Sequence, residues 1–387
     1  MRIPYKRTAV AASAASQLGS RFPVHVHNAT TSSQILTSAP GFINLYTFDG
    51  SSFTTTLNAS VPGNPSWIEY VAPNKVYAVD EAGTDMRLFH LSHVGGGVAK
   101  LSDPVAVGTG SPGAVHLEFN PDKTRMVSAA YGAGTVDIWD IEDEKELRLI
   151  KTIVSTGELG PFKPNQDQAH PHQTVLDPTG RYFVVNDLGT DELLLIDSAG
   201  DSWDHRVAAS TPPGCGPRHG AFYDYHPGRS ANYVVNCELS NDVLVYSVSY
   251  GADADVTFTE VQSTKSFVDA VPDGAASAEV VLSADQKTVY VSNRLTGAAA
   301  DNIARFSIHR NDSISIQDQT PIGGIQPRMF SLAAKGNFLF VANQNGANAI
   351  TAFSVKKDGS LSDEPVATIP MPVYGGPDAG PTWLKEI

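Results

Sequence analysis

His172, Arg218, Arg294 and Arg328 stand with the carboxylates Glu81, Asp187 and Glu238 at two recurring positions of one repeated segment. Their types suggest a definite chemistry. Planar guanidinium groups hold anions and oxyanions through paired N–H donors in a fixed fork. A histidine titrates near neutral pH, and a carboxylate close to it supplies a second acid or base. Such a set recognises an anionic or oxyanionic group and can move a proton. It works only if the fold gathers residues that lie far apart in sequence.

The repeat supplies the gathering. Units open at Pro65, Ala114, Pro171, Pro217, Ser277, Pro327 and Pro381, spaced 46 to 60 residues apart. Each reads as a β-rich run, a turn and a second hydrophobic run, as in PHQTVLDPTGRYFVVNDLG from Pro171. Turn residues such as Asn120-Pro121-Asp122 and Asp177-Pro178-Thr179-Gly180 suit hairpins. Third strands follow over 191–197, 242–248 and 348–355. A period near 50 residues is that of a four-stranded propeller blade. The seventh unit ends after one strand, and 35–38, 42–48 and 52–57 offer the missing three. The expected fold is all-β, a seven-bladed propeller over 31–387, closed by N- and C-terminal strands in one blade. That closure leaves no sheet edge free. Residues 1–30 are expected to lie outside the propeller, as a signal-like or disordered extension.

Equivalent positions in different blades surround one axis, so aligning the units maps which side chains converge. The residue after each unit's first position heads the innermost strand: Ser66, Val115, His172, Arg218, Ala278, Arg328 and Thr382. The residue ending each second strand returns to the same face: Glu81, Tyr131, Asp187, Glu238, Arg294 and Gln344. His170, His219 and Glu279 are weaker candidates. His219 falls one residue further along its strand and should point elsewhere. A structural ion-pair network is the competing reading of these charges.

The remaining features set limits. A net charge of −14 argues against nucleic acid as a partner, because phosphates repel such a surface. No apolar run reaches the roughly 18 residues that cross a membrane as a helix. No GxSxG elbow, phosphate-cradling GxxxxGK[ST] loop or HExxH pair is present. His170-Pro171-His172 does not by itself converge a ligand set, so no metal and no organic cofactor is expected. Sequons at Asn28, Asn58 and Asn311 suit surface loops and, with the small-residue N-terminus, favour secretion over a cytoplasmic location. Cys215 precedes one inner strand and Cys237 ends the next, so antiparallel pairing brings them together as one disulfide or two buried thiols.

At HPHQTVLDPTGRYFVVNDLG (170–189), GPRHGAF (216–222), NCELSNDVLVY (236–246), VYVSNR (289–294) and QPRMF (326–330) the chain resembles the seven-bladed lactonase propellers. That family includes 6-phosphogluconolactonases, carboxy-cis,cis-muconate cyclases and extracellular fungal aldonolactonases. The resemblance implies His172, Arg218, Glu238 and Arg294 as the catalytic set. Asp187, His219, Arg328, Gln344 and Glu81 are then expected to bind substrate. His219 and Arg328 match the phosphogluconolactonase-like pattern better than the cyclase-like one.

The expected activity is hydrolysis of a sugar-derived aldonolactone by a monomer, with a small-molecule lactone as the only partner. His172 or Glu238 would activate water, the other would protonate the leaving alkoxide, and the arginines would hold the oxyanion. The alternatives are an intracellular 6-phosphogluconolactonase or carboxymuconate cyclase, and a non-catalytic propeller that binds carbohydrate or protein.

Overall fold

The computed structural model describes residues 32–387, apart from 95–96, 201, 228 and 252–254. The expected extension 1–30 and the Asn28 sequon lie outside the described residues. Seven antiparallel sheets follow one another around the axis. The third blade is representative: Pro171–Leu176 lies innermost, then Tyr182–Asp187, Glu192–Asp197 and His205–Ser210. The innermost strands of the others are Ile68–Val71, Ala114–Phe119, Pro217–His226, Ala276–Leu282, Ile325–Leu332 and Trp383–Glu386. All seven belong to the repeat units read from the sequence. The first blade carries an extra strand, because Val98–Leu101 and Ala106–Thr109 both pair with Asp85–Val94.

Closure follows the expected route. Ser33–Ala39 pairs with Phe42–Phe48 on one side and with the C-terminal strand on the other, Thr37 facing Leu384. The second strand of each blade is covered on both faces and therefore reads as a nearly continuous hydrophobic run, YFVVND being fully buried. The fourth strands face solvent and alternate, as in Val256–Lys265. Blades pack face to face through their apolar side chains. Phe48 of the closing blade meets Phe340 of the sixth edge-on at 5.2 Å. Each such buried side chain contributes about 1.5–3 kcal/mol.

The detail that positions the site is a bulge near the start of the inner strand in five of the blades. Pro171 faces Asp187 and Gln173 faces Asn186, so His172 is an extra residue with no partner. The same slip leaves Val115 and Arg328 extra, and sets Arg218 with His219, and Ala278 with Glu279, against single residues opposite. A bulge re-aims the side chains around it. Here it turns that position toward the axis.

Candidate active site

The bulged residues converge. His172, Arg218 and Arg328 line one narrow crevice at the axis with Trp67, Val115, His219, Met329 and Thr382, packed so closely that it leaves no room for a water molecule. Five of these eight, Val115, His172, Arg218, Arg328 and Thr382, belong to the first ring read from the sequence. The crevice is a tight cleft with buried walls. A larger, open hollow of about 400 Å³, between the turns at Asn120–Asp122 and Gly180–Arg181, lies at the other ends of the inner strands. It gathers none of the candidate residues.

The second ring supplies counter-charges. Glu238 Oε2 forms ion pairs with two guanidiniums, lying 2.7 Å from Arg218 Nε and 3.1 Å from an Arg294 terminal nitrogen. Arg218 is 2% exposed and also donates to the Ala278 carbonyl at 2.7 Å. Arg294 keeps its Nε without a partner among the described residues. Separately, Arg328 makes a two-pronged contact with Glu81, at 2.8 and 3.4 Å. Gln344 is half-buried near the end of its strand.

Two expectations change. His219 does not point elsewhere: the bulge carries it to the same crevice as Arg218, with Nδ1 2.9 Å from Glu279 Oε1. Asp187 does not line the crevice. It is fully buried, Oδ1 accepts the N–H groups of His170, Gly189 and Thr190, and Oδ2 accepts from Ser155. It holds the turn between two strands. Trp67 and His116 were missed altogether; their rings lie 4.1 Å apart, tilted by 38°, in the register just below His172.

The profile described as Lactonase, 7-bladed beta-propeller, matches residues 29–374. The chain belongs to this family. A probable 6-phosphogluconolactonase of Arthroderma benhamiae is 29% identical over 327 residues, covering 82% of this chain and 80% of that protein. The 6-phosphogluconolactonase of Bacillus subtilis is 27% identical over 320 residues, covering 80% and 86%. The structure of the periplasmic gluconolactonase of Pseudomonas aeruginosa superposes with a TM-score of 0.74 at 20% identity, covering 92% and 99%. That likeness speaks for the fold.

Electrostatics separates the groups in this lactonase propeller. Burial alone would raise the Glu238 carboxyl, but Arg294 and Arg218 overcome it and hold it below its ordinary 4.5. Glu238 is therefore an ionised clamp at neutral pH. Burial, then the Arg218 charge, push His172 well below 6.5, so its imidazole is neutral. Its Nδ1 has no partner among the described residues. Among the described residues no group of three or more His, Cys, Asp or Glu side chains is placed to hold a metal ion.

A disulfide anchors the clamp of this lactonase propeller. Cys215 and Cys237 are bonded and buried, one residue before Gly216-Pro217-Arg218 and one before Glu238. The Glu238 N–H donates to the Gly216 carbonyl at 2.8 Å alongside it. Gly216 has φ +62°, and a Cβ there would stand 2.7 Å from Leu239 Cγ, so the turn requires glycine. The bond joins residues 22 apart. Replacing both cysteines with serine is expected to lower unfolding free energy by about 3 kcal/mol. Denaturant titration checks this; an unchanged midpoint contradicts it.

Proposed function

We propose that this chain hydrolyses an uncharged sugar-derived lactone at the Arg218–Glu238–Arg294 mouth. The observation that carries the proposal is the convergence of two guanidiniums on one carboxylate oxygen beside a neutral histidine. His172 takes a proton from water as the water attacks the ring carbonyl. Arg294, with its free Nε, and Arg218 stabilise the oxyanion that forms. Glu238 aligns both guanidiniums. Being ionised, it has no proton to give to the departing ring oxygen, which removes it from the acid role.

Charge favours an uncharged substrate. Three guanidiniums face two carboxylates, Glu238 and Glu81, and the neutral histidines add nothing. One net positive charge suits a single oxyanion and leaves little for a phosphate dianion as well. The disulfide and the exposed Asn311 sequon fit a secreted enzyme meeting such a lactone. A phosphorylated lactone is the second reading, favoured by the names of the two relatives.

Proton release at constant pH, corrected for spontaneous opening, tests both. Gluconolactone and a disaccharide lactone are expected to be opened with higher kcat/KM than 6-phosphogluconolactone. The reverse order supports the second reading. No acid release from any of the three would favour a binding propeller.

The pH profile follows from His172. Only the neutral imidazole accepts a proton, and its lowered pKa keeps it neutral down to well below 6.5. Activity is thus expected to stay level as pH falls from 7 through 6.5, dropping only below that. An acid limb centred at or above 6.5 contradicts the assignment.

A further inference from the structure

Removing Glu238 from the acid role leaves the ring oxygen without a proton donor, and His172 is held. Its buried ring stands edge-on to Tyr131 at 5.7 Å and against His219 at 5.1 Å. To serve both attacking water and leaving oxygen it would have to swing. A second proton-bearing pair lies in the same crevice.

We propose that His219 and Glu279 form a relay that protonates the departing ring oxygen of the lactone. The inference rests on the hydrolytic reading above. His219 Nδ1 is turned to Glu279 Oε1 at 2.9 Å, which leaves Nε2 on the other edge of a ring that lines the crevice. Nε2 has no partner among the described residues, although His219 is only 2% exposed. Glu279 is 3% exposed, and its Oε1 also accepts the Val280 N–H at 3.0 Å, so the carboxyl is fixed. A histidine oriented by a buried carboxyl through one nitrogen and facing a cleft with the other is the arrangement of a positioned acid or base. Among the described residues His172 Nδ1 has no such carboxyl.

The starting state has Glu279 as a carboxylic acid donating to Nδ1, with the His219 hydrogen on Nε2. Burial supports this by raising Glu279 above its ordinary 4.5, against the pull of Arg218. When the tetrahedral adduct collapses, the carbon–oxygen electron pair moves to the ring oxygen, which takes the Nε2 hydrogen. Nδ1 takes the Glu279 proton. His219 ends neutral in its other tautomer, Glu279 ends as a carboxylate, and the lactone becomes a hydroxy acid. The proton taken from water by His172 returns to Glu279 and resets the site.

The charged and titratable groups acting on the pair are Arg218 and Lys385 on Glu279, and Arg218, Arg328, Glu238 and Arg294 on His219. The His116 and His172 rings also pack against His219. None replaces the Glu279 proton.

The test compares leaving groups. Opening gluconolactone expels an alkoxide that needs a proton. Opening the aryl lactone dihydrocoumarin expels a phenolate, whose conjugate acid has a pKa of about 10, and needs none. Glu279→Gln is expected to lower kcat on gluconolactone about a hundredfold, with a loss on dihydrocoumarin at least tenfold smaller. His219→Gln should show the same split. Equal losses on both substrates, or none, overturn the relay, since a purely structural role ignores the leaving group. Should the variants not fold, the wild type decides. Its gluconolactone activity, corrected for spontaneous opening, should fall as rising pH strips Glu279, while dihydrocoumarin turnover does not. Parallel profiles overturn the relay. A wild type that opens neither lactone overturns instead the hydrolytic reading on which the relay rests.

Discussion

His172→Asn is expected to lower kcat on gluconolactone roughly 10³-fold, within the span seen for losing a positioned general base. Asparagine fills much of the same space, and its amide cannot accept a proton at neutral pH. The residue is 6% exposed in a bulge held by its neighbours, so the blade should stay intact. The loss should appear in kcat more than in KM, because the proton moves only in the transition state. A folded variant with wild-type turnover would exclude His172 as the base.

Arg294→Ala should cost about 10²–10³ in kcat, the scale for removing one oxyanion donor. Arg294 is the better probe of the two guanidiniums. It is half-buried, and without it Glu238 still pairs with Arg218, so no buried charge is left uncompensated. Glu238→Gln is a poorer probe. It would leave Arg218 buried beside a neutral amide, and breaking a buried pair costs about 3–5 kcal/mol of stability. Thermal unfolding separates the two cases: Arg294→Ala should melt near the wild type, Glu238→Gln well below it. Arg294→Lys should recover little activity, since an ammonium lacks the planar fork. Full recovery by lysine would show that charge alone suffices there.

The fold was legible because a propeller writes its architecture as a period. Seven copies of one pattern, the last cut short at Ile387, demanded a strand triplet from the other terminus. The same symmetry made convergence readable, since His172, Arg218 and Arg328 occupy one register of the repeat. What strict alternation hid was the bulge. His219 follows Arg218 directly and by alternation should face away, yet both reach one crevice. A signal was present in the prolines. Pro171, Pro217 and Pro327 lack the N–H that a ladder needs, and a bulge is where a strand tolerates one.

Asp187 shows the opposite failure. Its register was right, but the following Leu188-Gly189-Thr190 turn folds its backbone N–H groups onto the carboxylate, and local hydrogen bonds use it up. Glu238, at the equivalent place, meets two arginines instead. Register says where a side chain starts; its neighbours decide what it is free to do. Trp67 and His116 lie one register below the first ring, level with His219 and Glu279. Reading that second register across the blades would have gathered them.

The most direct test of the mouth as the place where the lactone opens is proton release from gluconolactone by the double variant His172→Asn/Arg294→Ala, beside the wild type at equal concentration. Base and oxyanion donor act in one transition state, so their losses need not add. The wild type is expected to release acid well above the spontaneous rate, and the folded double variant to be indistinguishable from spontaneous opening. A folded double variant that opens gluconolactone as fast as the wild type would contradict the assignment and place the chemistry elsewhere on the propeller.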